Sequence, residues 1–123
     1  MIPTVRQFVL CNYAFVEQKT NLPGCIGIFR NILVKSFPVQ QNVFFYLGLA
    51  DLGGTLKVFV RIEEIFSGEV IFSMPLNFEN LLGDFTLVWN IVPVFKTEGN
   101  YILKIIGYGE ILAQTDFFVK KET

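Results

Sequence analysis

From Thr55 to Ile62 the chain alternates with a strict period of two: Leu56, Val58, Val60 and Ile62 interleave with Lys57, Phe59 and Arg61. In extended backbone successive side chains point to opposite faces, so the first set falls on a core side and the second outside. A helix would scatter the same residues around its circumference. The pattern recurs. Phe85, Leu87, Trp89 and Ile91 share one parity against Thr86, Val88 and Asn90, and Tyr101, Leu103 and Ile105 alternate with Ile102, Lys104 and Ile106. Further strand-length runs rich in β-branched and aromatic residues lie at Phe8–Val16, Cys25–Ile32, Val43–Leu49, Glu69–Leu76 and Glu110–Val119.

The segments between these runs carry tight-turn chemistry: Asp51-Leu52-Gly53-Gly54, Ser67-Gly68 and Gly107-Tyr108-Gly109. None is long enough for the crossover helix that joins parallel strands, so antiparallel pairing is expected. A single helical turn is expected at Asn77–Gly83, with Asn77 as cap and Gly83 as stop. About eight short strands in 123 residues predict one all-β domain over residues 1–123, an antiparallel two-sheet sandwich, with a small barrel as the alternative fold. An apolar fraction of 52% against 17% charged residues excludes intrinsic disorder.

The chain holds no histidine, which removes Ser-His and Cys-His catalysis and every His-ligated metal site. The remaining acid–base candidates are scattered. Glu63 and Glu64 are adjacent, point to opposite faces of a strand and read as a solvated strand end. Asp51 and Asp84 sit at turns, and Ser36, Ser67 and Ser73 lie in no Gly-x-Ser-x-Gly setting. Gly24-Cys25-Ile26-Gly27 is followed by no lysine and no helix start, so it is not a phosphate loop. Cys11 and Cys25 flank a turn at Glu17–Asn21; they fit either a strained cross-strand disulfide or two buried reduced thiols. No basic neighbour in sequence activates either one. The expectation is a non-enzyme with no catalytic residue, no metal and no cofactor.

Ten basic and eleven acidic residues leave a net charge of −1, which favours neither nucleic acid nor an acidic membrane. Lys57, Phe59 and Arg61 would suit a base-stacking platform locally, but Lys35, Lys96 and Lys104 are far apart in the chain. Met1–Gln7 lacks the apolar core of a secretory signal, and no run approaches the ~18 apolar residues of a membrane helix. A cytoplasmic location is expected.

Two segments resemble a known family. Asn12-Tyr13-Ala14-Phe15, then Lys19-Thr20-Asn21-Leu22 and Gly27-Ile28-Phe29, are similar to the opening of small bacterial proteins catalogued as a domain of unknown function (number 6941). Glu98-Gly99-Asn100-Tyr101, then Gly109-Glu110-Ile111-Leu112-Ala113 to Phe117-Phe118-Val119, is similar to that family's closing hairpin. The chain departs from the family at Pro23 and at Arg30, where an acidic residue is usual. The resemblance implies an immunoglobulin-like β-sandwich and brings no activity, substrate or partner. Independently, Gly99-x-Tyr101 at a strand entrance resembles a tyrosine corner, in which the ring is buried and the hydroxyl ties back to upstream backbone. Trp89 is placed in the core by its alternation.

The outer parities are unusually apolar. With Val58 and Val60 inward, Phe59 points outward between Lys57 and Arg61; with Val43, Phe45, Leu47 and Leu49 inward, Phe44 and Tyr46 point outward; Ile102 and Ile106 flank Lys104. Outer sheet faces normally alternate to polar residues, and a contiguous apolar patch marks an interface. Phe44, Tyr46, Phe59, Ile102 and Ile106 are therefore the expected interaction surface, met by a second subunit in a homodimer or by another protein. A small or apolar ligand between or upon the sheets is the alternative.

Overall fold

The computed structural model describes residues 2–123. The chain is all-β, and no helix forms among the described residues. The elements are β1 (Thr4–Val16), β2 (Pro23–Ile28), β3 (Asn31–Val34), β4 (Val39–Gln40), β5 (Val43–Glu64), β6 (Val70–Ile91), β7 (Val94–Phe95), β8 (Gly99–Gly107) and β9 (Glu110–Lys121). Nine strands replace the expected eight. Two of them, β5 and β6, each run for 22 residues and each merge two of the strands anticipated from the sequence.

The merger has a local cause. Asp51-Leu52-Gly53-Gly54 is not a turn but a bend within β5, with Asp51 at φ 61° and Gly54 at φ 122°. Opposite it, Asn77–Gly83 is not a helical turn but part of β6, bent where Asn80 (φ 61°) and Gly83 (φ 75°) enter the left-handed region. Leu52↔Gly83, Gly53↔Leu82 and Gly54↔Leu81 stay paired through the bend, with register shifts on either side. Positive φ, which serves a hairpin turn, here re-aims two strands together. Seven residues hold too few turns to make a helix competitive with a ladder already in place on both sides.

Hydrogen bonding consequently joins one seven-stranded sheet rather than two separate ones, with a second sheet formed by β4 and β7 alone. Before the bend β5 pairs with β1 and with the C-terminal part of β6; after it β5 pairs with β8 and with the N-terminal part of β6. The path runs β2-β1-β5-β8-β9-β3, with β6 against β5. One pair is parallel: β3 lies beside β9 in the register Asn31↔Phe118 to Val34↔Lys121. The expected strand Cys25–Ile32 breaks at Phe29-Arg30, where Phe29 N–H donates to Leu10 and the Arg30 carbonyl accepts from Phe118 N–H. The chain thus leaves β1 for β9, and no local crossover is needed because the partners are remote in sequence. β2 starts at Pro23 itself, a residue tolerated on an edge strand.

Both parts of the large sheet contribute to one core. Leu10, Val43, Phe45, Leu47 and Leu87 come from the first part, and Leu56, Val58, Val60, Ile62, Leu103, Ile105, Phe117 and Val119 from the second. Every inward residue of the Leu56–Ile62 alternation is buried. Tyr101 is buried against Phe95 and Phe117, and its hydroxyl donates to the Thr97 carbonyl at 2.6 Å, the geometry of a tyrosine corner. Trp89 departs from expectation: it is half-buried against the edge of the core, although Leu87 and Ile91, of the same parity on β6, are buried. Its ring meets Phe78 edge-on at 6.0 Å, and Phe78 meets Phe85 at 5.8 Å, so the trio links the two halves of β6 across the bend.

Candidate interaction surface

The outward residues of β5 after the bend are Lys57, Phe59, Arg61 and Glu63. Phe59 stands between its two cross-strand partners, Pro75 of β6 and Ile106 of β8, and is half exposed at 50%. Beside it opens a hollow of about 460 Å³ on the outside of the sheet, lined by Lys57, Phe59, Pro75, Asn77, Ile106 and Tyr108 among others. The β8–β9 turn forms one wall. Tyr108 (φ 56°) and Gly109 (φ 76°) are both left-handed, the signature of a two-residue turn that matches strand twist. Gly107 lets that turn settle on β5: a Cβ there would come within 2.8 Å of the Lys57 carbonyl oxygen and 2.9 Å of Val58 Cγ1. The Tyr108 hydroxyl donates to the Thr55 carbonyl at 2.8 Å and holds the ring as a fixed wall.

Beyond Phe59 the same face becomes ionic. Lys104 Nζ lies 2.9 Å from Glu63 Oε1, and Arg61 Nη1 lies 3.8 Å from Glu63 Oε2. Two cations thus share one half-buried carboxylate, and Arg61 Nε is buried without a partner. Glu63 is an ion-paired group rather than the solvated strand end expected. Glu64, on the other parity, accepts from Phe66 N–H and Ser67 N–H and so caps the β5–β6 turn.

The five residues proposed from sequence therefore separate. Phe59 and Ile106 are brought together at the hollow. Ile102 faces Glu63 and Asp116, on the far side of the ionic cluster. Phe44 and Tyr46 lie before the bend, opposite Cys11 and Val9 of β1 and Asn90 and Val88 of β6. There Tyr13 packs edge-on against Phe44 at 5.3 Å and stacks on Phe15 at 5.9 Å; Phe44 and Tyr46 are both half-buried. The apolar exposure of that face moves outward to Tyr13 and to Ile26 and Ile28 of the edge strand β2.

Pro75 and Tyr108 were not singled out from sequence. A proline inside a strand-length run signals an edge, and a Gly-Tyr-Gly turn must present its tyrosine at positive φ; those are the available signals. Cys11 and Cys25 are free, and the register sets Cys11 opposite Ile28 and Cys25 opposite Ala14, so they are not directly opposed. Burial pushes the Cys11 thiol up to about 11, with the neighbouring Cys25 adding to the shift. A thiol so protonated is a poor nucleophile. Among the described residues no three His, Cys, Asp or Glu side chains cluster as a metal site would require. Among the described residues no helix is long and apolar enough to cross a membrane.

The chain is similar in structure to an immunoglobulin-like protein from Pseudomonas aeruginosa, with a TM-score of 0.52, 12% sequence identity and coverage of 97% of each chain. The fold is immunoglobulin-like. At that identity the likeness concerns the fold alone, and function must be argued from the surface. No model of a known protein family and no curated protein matches the chain.

Proposed function

We propose that this protein is a non-enzymatic interaction module, an immunoglobulin-like sandwich in which the continuous β5 and β6 strands join the two parts of the large sheet, and that it self-associates through the outer face around Phe59. The hollow between Phe59, Pro75, Ile106 and Tyr108 carries the reading: it is apolar, open and walled by a turn held in place by hydrogen bonding. Preformed apolar concavities on a sheet face lose little entropy when filled. The free thiols suit a reducing compartment, so a cytoplasmic location belongs to the same reading, as does kinship with the uncharacterised bacterial family that both ends of the chain resemble.

Light scattering of the purified protein at micromolar concentration is the test. A mass of twice 14.0 kDa, falling to that of one chain in Phe59→Glu with an unchanged circular dichroism spectrum, is the expected outcome. A monomer throughout that range would remove the self-association. Uptake of an apolar small molecule by that monomer, abolished in Phe59→Glu, would assign the hollow to a ligand instead.

A further inference from the structure

The turn closing the long hairpin presents the complement of the hollow. Phe66 at its tip is 85% exposed and Ile65 beside it is 46% exposed, the former being the most exposed large apolar side chain among the described residues. The tip is rigid by construction. The Glu64 carboxylate takes the Phe66 and Ser67 amides, Gly68 N–H donates to the Glu64 carbonyl, Glu64 N–H donates to the Glu69 carbonyl, and Glu69 N–H donates to Ser67 Oγ. A solvated aromatic held in one place by five hydrogen bonds is preorganised for a pocket. Charge matches as well: the tip is flanked by Glu64 and Glu69, while Lys57 is the one charged side chain lining the hollow. Neither Lys57 nor Glu69 has a salt-bridge partner among the described residues.

We infer that the occupant of the hollow is Phe66 of a second copy of this chain, an inference that rests on the self-association proposed above. Knob and hollow lie on one hairpin: Phe66, in the turn after β5, is seven residues beyond Phe59, at most roughly 23 Å away at ~3.3 Å per residue. Two hairpins laid antiparallel, outer face to outer face, make the contact twice about a two-fold axis, which closes the assembly rather than propagating it. A buried phenylalanine removes about 150–250 Å² from water. Two of them leave most of the ~1,200 Å² that a stable pair needs to the facing surfaces around Phe59, Ile102 and Ile106.

Sedimentation velocity on the full chain tests this with two variants: Phe66→Ser, which removes the knob and keeps the hollow, and Phe59→Glu, which spoils the hollow and keeps the knob. The wild type should sediment as a dimer, and each variant alone should associate at least tenfold more weakly. An equimolar mixture of the two should regain dimer, because the intact hollow of one chain receives the intact knob of the other. Phe66→Ser dimerising as tightly as the wild type would overturn the inference and leave self-association through another part of the face standing. A mixture that recovers nothing beyond its components would also overturn it. A wild type that remains monomeric would overturn the self-association reading itself, and this inference with it.

Discussion

The β5–β6 hairpin presents two outer faces built by one rule and finished differently. Before the bend, Phe44 and Tyr46 point outward and are half-buried, and Tyr13 of the neighbouring β1 packs edge-on against Phe44 while stacking in turn on Phe15. After the bend, Phe59 points outward in the same way, yet its neighbours are Pro75 and Ile106, and the surface opens into a hollow bordered by an ionic cluster. Alternation assigns a side chain to a face. What the adjoining strands carry at the same register decides whether it is sealed or available. A sealed aromatic contributes to stability, whereas an available one contributes to binding.

The sharpest way to break this contrast is to truncate one aromatic from each face. Phe44→Ala should lower unfolding free energy by about 2–3 kcal/mol, short of the full cost of a completely buried ring. Phe59→Ala should lower it by less than about 1 kcal/mol, measured by urea titration at concentrations where association is absent. Equal costs would mean that the two faces do not differ as described. Next in size is Trp89→Ala, which removes the ring linking the halves of β6 through Phe78. A half-buried indole at that position should cost about 2 kcal/mol, below the ~3–5 kcal/mol of a fully packed one. Should the two halves be independent, the variant would unfold in two transitions rather than one.

The last test concerns the sealed face alone and reads a slope with pH rather than a loss at one pH. Cys11 is buried behind Phe44, whose carbonyl its thiol approaches, and its thiol titrates near 11 rather than at its ordinary 9.0. A folded-state value above the unfolded one means that the native protein holds the proton more tightly. Its contribution is complete below pH 9 and is lost as pH rises towards 11, with a slope of up to about 1.4 kcal/mol per pH unit. Denaturant titrations from pH 8 to 11 should therefore show a shallower decline for Cys11→Ala than for the wild type. Identical slopes would place Cys11 in water and unseal the face.

What the sequence determined by itself was the parity of each strand. Leu56, Val58, Val60 and Ile62 are inward and Phe59 outward because a two-residue period is a property of the local backbone, independent of partners. The tie from Tyr101 to Thr97 was legible for the same reason: it spans four residues. Tertiary structure alone decided the rest. A residue pair such as Gly53-Gly54 permits a turn or a bend, and only the simultaneous bend at Asn80 and Gly83 on the facing strand made it the latter. The parallel docking of β3 on β9 joins segments far apart in the chain, which no local period records. Nor could alternation reveal that Tyr13 would pack on Phe44 while Phe59 stays half exposed, because cover is supplied by strands whose register is fixed only when the whole sheet assembles.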